Sequence, residues 1–248
     1  MKTLRSTAKN YLSKKAIARN TIAFITASLL CTATLANQAD LDAIERAYYS
    51  DNVPALKQLA EATRGYDHFV ASYRLALKYS FSNQEEAAKS QLASLIEELE
   101  THTQANPSDA DSLALLANVY GYSIGLNPFK AMTYGPRSHD RIDTARTIAE
   151  DNPRVLMFQG ILDYNTPAMF GGSKEAAKVA FTEALDAFEK DQGSDRYWGH
   201  SETSVWLGLT YLEQGDLAMA RHCWQQALTL NPDNSWATHL LESNKAEQ

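Results

Sequence analysis

Between residues 201 and 234, Leu207, Gly208, Tyr211, Gly215, Ala220, Trp224, Ala227 and Pro232 carry the spacing of two antiparallel helices joined by a tight turn. Leu207, Gly208 and Tyr211 lie one turn apart on the first helix, and Gly208 has no side chain to hold a neighbour away. Ala220, Trp224 and Ala227 form a small-large-small stripe on the second helix that a facing helix can fill. Gly215 tolerates positive φ in the turn, Asp216 is a good N-cap for the helix after it, and Pro232 ends the pair. Such a pair cannot bury its apolar face alone, so one good copy predicts a stack of similar pairs around it.

Weaker copies precede it, in units near 41–62, 69–107, 110–153 and 153–185. The first reads as a short pair broken at Ser50, Asp51 and Asn52. In the second, Ala76 and Tyr79 mark the first helix, Ala88, Leu92 and Leu95 the second, and Ser82 with Glu85 reads as a capping box. In the third, Ala117 and Tyr120 precede an insertion of about twelve residues before Ala145 and Ile148. In the fourth, Gly160 and then Ala177, Phe181, Ala184 and Leu185 flank an insertion of about five. Asn106-Pro107, Asn152-Pro153 and Asn231-Pro232 punctuate the handovers, since Pro suits a helix's first turn and stops the preceding one. Residues 235–243 read as a capping helix. No segment carries the alternation of a strand. The fold class is therefore all-α, a right-handed solenoid of stacked helix pairs over 37–248.

Residues 1–36 have the layout of a secretory signal peptide. Six basic residues and no acid occupy the first twenty positions, and an uncharged, mostly apolar run follows from 21 to 36. Thr21, Thr26, Ser28, Thr32 and Thr34 dilute this run and its strongly apolar part, 22–31, is about half a bilayer span, so the chain is expected to have no membrane span after cleavage. Thr34 and Ala36 are the small residues before a cut, which places Asn37 first in the mature chain. Leu29 and Leu30 are too bulky to make Cys31 a lipidation site. Cleavage leaves 17 Lys plus Arg against 30 Asp plus Glu, a formal −13, which argues against a nucleic-acid partner. Cys223 would then be the sole thiol, so stability must come from packing rather than a disulfide, and Cys223 reads as a small buried hydrophobe.

On the motif of 201–234 the sequence resembles the tetratricopeptide-repeat superfamily, which implies the helical solenoid and a role in binding. A narrower likeness runs from Pro153-Arg154-Val155 through Gly160, Tyr164 and Pro167 to Phe170-Gly171-Gly172-Ser173-Lys174 and Ala177. It resembles exported bacterial repeat proteins, including the repeat-containing accessory subunit of TRAP-type transporters. In those relatives an Asp commonly follows the paired glycines, where Ser173 caps equally well. The likeness implies a periplasmic protein.

Two insertions carry the candidate site. The first, 121–138, holds Tyr122, Phe129, Met132, Tyr134 and Pro136, and the second holds Pro167, Met169 and Phe170. Equivalent turns of neighbouring repeats lie side by side, so the loops are expected to meet over a floor of Tyr120, Phe158 and Tyr164. The competing reading is that these aromatics anchor the loops to the solenoid. Tyr197 and Trp198 beside His200 make a second candidate, with His200 alternatively a helix-start residue. Tyr79, Tyr120 and Tyr211 are expected on the concave face. Gly171-Gly172-Ser173-Lys174 can be read as an anion site or as a turn with a Ser cap.

No catalytic motif is present, the histidines show no metal-ligand spacing, and no cofactor is implied; Glu97, Glu98 and Glu100 read as a solvated face. The reading is a non-enzymatic periplasmic adaptor for a protein or peptide partner. Its rival is a small-ligand accessory component of a transport system. A closed cavity of roughly 300–1,000 Å³ under the insertions favours the ligand, and an open apolar surface favours the protein.

Overall fold

Side chains that the sequence places before the helices cap seven of them: Asn37, Asn52, Asp109, Asn152, Ser173, Asp216 and Asn234 each accept from a backbone N–H of the first turn. The computed structural model describes residues 37–245. The leader, its cut-side residues and Cys31 lie outside the described residues. Eleven α-helices run in order among them: α1 Gln38–Tyr49, α2 Val53–Ala62, α3 Gly65–Phe81, α4 Glu85–Ala105, α5 Ala110–Leu126, α6 Ala131–Ile148, α7 Pro153–Asn165, α8 Lys174–Lys190, α9 His200–Glu213, α10 Leu217–Leu230 and α11 Ser235–Ser243. Short 3₁₀ turns at Pro128–Lys130 and Ala168–Phe170 precede α6 and α8.

The helices pack in antiparallel pairs, α3 with α4, α5 with α6, α7 with α8 and α9 with α10, and the pairs stack through α5 on α7 and α8 on α9. Glycines set the closest approaches. A Cβ on Gly208 would stand 2.3 Å from Trp224 Nε1, and one on Gly160 would stand 2.6 Å from the Phe181 ring. Trp224 and Phe181 are thereby fully buried, a burial that contributes about 1.5–3 kcal/mol for a side chain of Phe size.

Four expectations need correcting. Ser82 and Glu85 form no capping box: Ser82 ends α3, Asn83 takes φ +57°, and α4 starts at Glu85 behind Gln84, with no side-chain cap. Pro153 alone of the three Asn-Pro prolines opens a helix. Pro107 and Pro232 sit in the turns ahead of the caps Asp109 and Asn234. The first insertion is hardly a loop, because α5 continues to Leu126 and α6 begins at Ala131, with Pro136 inside it. Pro136 stands in the second turn of α6 and removes one backbone donor there, a single i to i−4 hydrogen bond.

The fourth correction concerns the concave face. The first helices of the pairs are buried on every side over long stretches: 69–78 on α3, 110–120 on α5, 153–158 on α7 and 200–205 on α9. The stack curls until its first and fourth pairs touch. Arg74 on α3 forms an ion pair with Glu202 on α9 at 2.7 Å, and Trp198 Nε1 donates to the Tyr66 hydroxyl at 3.1 Å. α1 joins this junction, since Gln38 exchanges hydrogen bonds with both backbone groups of Tyr197 and Glu45 accepts twice from Arg74. The inner surface is thus occupied by the protein itself.

Candidate interaction surface

The C-terminal ends of the first helices line up along one edge of the solenoid. Tyr122 on α5 lies beside Ser80 at the end of α3. A Cβ on Gly121 of α5 would stand 3.0 Å from Leu162 of α7, and the Tyr164 hydroxyl on α7 donates to Glu213 at the end of α9 at 3.4 Å. Each first helix therefore delivers its following turn to the same edge.

At three successive turns this edge exposes large apolar side chains. Phe81 is 68% exposed at the α3–α4 turn, Phe129 and Met132 are 95% and 88% exposed before and at the start of α6, and Met169 and Phe170 are 82% and 65% exposed before α8. Asn127 caps the first 3₁₀ turn by accepting from Phe129 N. The second is shaped by two glycines. Gly171 takes φ +96°, and a Cβ on Gly172 would fall 1.8 Å from the Thr166 carbonyl oxygen, so only glycine fits there.

Beneath the exposed row lies a layer of half-buried aromatics. Tyr134 packs on Tyr120 at 4.8 Å, Trp206 meets Tyr164 at 5.4 Å and Trp236 at 5.2 Å, and Lys130, Lys174 and Lys178 lie over the rings of Tyr134, Tyr164 and Tyr211. Burial and the neighbouring Glu213 push the Tyr164 hydroxyl up to about 12. Lys174 Nζ also donates to the Tyr164 carbonyl oxygen at 2.7 Å. Its ammonium pins the turn, and Ser173 caps α8, so the turn reading of Gly171-Gly172-Ser173-Lys174 replaces the anion-site reading.

The structure divides the sequence-predicted residues. Phe129 and Phe170 stand on the surface, and Tyr122, Tyr134, Tyr164, Tyr197 and Tyr211 are half-buried. Phe158 and Trp198 are corrections: both are buried, 5.9 Å apart, in the core where α7 meets the start of α9. Tyr120 is buried too, and its hydroxyl donates to Glu100 at 2.5 Å. Glu100, which Arg137 also contacts, is therefore more than a solvated acid. With Tyr120 and Phe158 enclosed, the expected pocket floor is not available to a ligand. Tyr197 and His200 face each other through a 2.7 Å contact of the hydroxyl with Nδ1, and His200 stacks on Phe188, as a helix-start residue.

The opposite edge is polar. Arg196 binds Asp109 and Asp111, while Arg154 binds Asp111 and Asp191 at 2.7 and 2.5 Å. Burial disfavours the Asp109 carboxylate, yet Arg196, His102 and Ser112 hold it down at about 2. A cleft of about 520 Å³ opens beside this network, lined by residues including Arg146, Glu150, Glu183, Asp186 and Lys190. Among the described residues, no group of three His, Cys, Asp or Glu side chains is placed to hold a metal ion, and no helix is long and apolar enough to cross a membrane. The ionic networks and the exposed Phe81 escaped sequence reasoning. Phe81 carried one signal, an aromatic at a helix end just before Ser82-Asn83.

Residues 201–234 match the tetratricopeptide repeat. The α9–α10 pair is thus a tetratricopeptide repeat. The fold of the chain is similar to that of a thermophilic tetratricopeptide-repeat protein of Thermus thermophilus, at 17% identity and a TM-score of 0.51, covering 84% of this chain and 94% of that one. It is also similar to the HusA haemophore of Porphyromonas gingivalis, at 24% identity and a TM-score of 0.50, covering 71% and 90%. No curated protein matches the sequence. These likenesses give the fold and leave specificity to the chain's own surface.

Proposed function

We propose that this protein is a non-enzymatic, exported periplasmic adaptor that grips a protein partner along its turn edge rather than in a concave groove. The observation that carries the reading is the exposed row Phe81, Phe129, Met132, Met169 and Phe170 on a scaffold whose inner face is already filled. Scattered surface apolar residues need no explanation, but several large ones gathered at aligned turns mark an interaction surface. Aromatic and Met side chains suit a protein contact, because they bury much area and adapt to the partner's shape. The occupant is accordingly a segment presenting its own apolar side chains. The basic, then apolar leader supports export.

The test is affinity capture from the periplasmic fraction with the full chain carrying a C-terminal tag, beside a Phe129→Ser, Phe170→Ser variant. A defined protein captured by the parent and lost from the variant, at unchanged melting temperature, supports the reading. Capture that ignores the substitutions overturns the turn-edge site. Absence of the chain from the periplasmic fraction overturns the export claim. The same pair of proteins titrated with haemin tests a small planar ligand on the same surface, the property named for the HusA haemophore; haemin binding without any protein capture would move the assignment to a ligand carrier.

A further inference from the structure

Asp67 is a buried carboxylate with one of its two oxygens unpartnered. It sits in the first turn of α3 and is 4% exposed. Oδ2 accepts from the backbone nitrogen of Asn37 at 2.8 Å, and Oδ1 is buried with no hydrogen-bond partner. The charged groups facing it are Asp40 on α1, which repels, and Arg196 of the 191–199 segment, which attracts. Arg196 is already committed to Asp109 and Asp111. Burial raises the Asp67 pKa, and the single Asn37 N–H counters only part of that. A carboxylate so enclosed calls for a full positive charge with more than one donor.

We infer that removal of the leader at the Ala36–Asn37 bond turns the Asn37 nitrogen into an α-ammonium that pairs with both oxygens of Asp67, so that processing completes the fold of the mature protein. The inference rests on the export reading above. An endopeptidase of the signal-peptide-removing class adds water across the amide. The C–N bond breaks, Ala36 keeps the added oxygen as the carboxylate of the released leader, and the Asn37 nitrogen holds the protons as –NH₃⁺. The ammonium has three donors where the amide had one. The nitrogen already stands 2.8 Å from Oδ2, so its remaining donors can reach Oδ1 without moving the backbone of α1. That helix is worth anchoring, because Gln38 and Glu45 tie it to the junction of α3 and α9. The pairing locks the first residue of the processed chain beneath the solenoid's closure.

The experiment starts from the full chain with its own leader, recovered after export. Mass spectrometry of the N-terminal peptide is expected to read Asn37. The pH dependence of α-amine labelling is then measured in the parent and in Asp67→Asn. The paired amine is expected to titrate above pH ~9, against ~8 for a free α-amine and for Asp67→Asn. A glycine inserted between Ala36 and Asn37 keeps the leader but displaces the ammonium. It is expected to lower the melting temperature by roughly 3–6 °C in the parent and to do little in Asp67→Asn. With a raised folded pKa, this stabilisation is present below pH ~8 and fades as pH rises through the folded value. An N-terminus elsewhere overturns the cleavage reading and the inference with it. An N-terminus at Asn37 whose amine titrates near 8, with a glycine insertion that costs nothing, overturns the pairing and leaves export standing. Should Asp67→Asn fail to accumulate, labelling of the parent and the glycine variant still decides the matter.

Discussion

Arg74 and Glu202 meet at 2.7 Å across the closure of the solenoid, and Arg74 also holds Glu45 of α1 at 2.7 Å. The guanidinium lies 4.4 Å from the Tyr48 ring and 5.0 Å from Trp198, fully enclosed. One arginine thus joins α1, α3 and α9, the elements that turn an open repeat stack into a closed one. Burial raises the Glu45 pKa although Arg74 opposes it, so the site tolerates its acids only while the cation is there.

Arg74→Met is expected to destabilise the protein by about 3–5 kcal/mol, because it strands the buried Glu202 and the half-buried Glu45 without their counter-charge. Replacing all three together, as Arg74→Met, Glu45→Leu and Glu202→Leu, is expected to recover most of that loss, since an apolar core has no charge to compensate. Urea unfolding of the single and triple variants checks both statements, and a triple variant no better than the single one would count against the account.

Close packing at the glycines gives a second test. Gly208→Ala and Gly160→Ala push a methyl into Trp224 and Phe181 at 2.3 and 2.6 Å, and overpacking of this kind costs about 1–3 kcal/mol. Gly125→Ala, near the end of α5 with nothing within 4 Å of the added carbon, is expected to be neutral or to stabilise by about 0.5–1 kcal/mol. Thermal melts of the three variants separate packing from helix propensity.

The same glycines mark what the sequence made legible. Gly208 faces Trp224 as the spacing requires, α1 and α2 break at 50–52, and α11 runs over 235–243, because caps, turns and helical periodicity are local signals. Repeat spacing registers the extra residues at 121–138 but not that they lengthen α5 and α6 rather than form a loop. Phe129 and Phe170, expected to roof a pocket or to anchor the insertions, are exposed instead. Trp198, Phe158 and Tyr120 are enclosed because the stack curls α3 onto α9, and a curl that sums small rotations over several repeats leaves no mark in any one of them. The partnership of Arg74 with Glu45 and Glu202 was hidden for the same reason.

Cys223 offers a probe of that packing. It is buried on α10, and burial pushes its thiol up to about 11. From Asn37 onward the chain has no other cysteine. Thiol reagents at pH 8 are expected to leave the native mature protein unmodified and to label it fully in denaturant, with a rate under native conditions that reports opening of the α9–α10 pair. Rapid labelling of the folded protein would show that the last repeat is frayed.

Acid should weaken the α8–α9 junction through His200. The imidazole stacks on Phe188 with rings 5.0 Å apart, contacts the Tyr197 hydroxyl through Nδ1, and has Glu189 at 3.9 Å from Nε2. Burial lowers its pKa, and Glu189 offsets part of that. With the folded value below ~6.5, the unfolded chain takes up the proton first, so stability falls as pH drops from ~6.5 towards the folded pKa. Glu45, whose pKa is raised, acts with the opposite sign at lower pH, its protonated form being favoured in the native state. The His200 contribution is therefore isolated by difference. Melting temperatures of the parent and of His200→Gln, measured from pH 7.5 to 5, are expected to converge as the pH falls, because the variant lacks the titrating group that the parent must charge or keep neutral at a cost. Parallel curves across that window would remove His200 from the pH dependence and leave the acids to account for it.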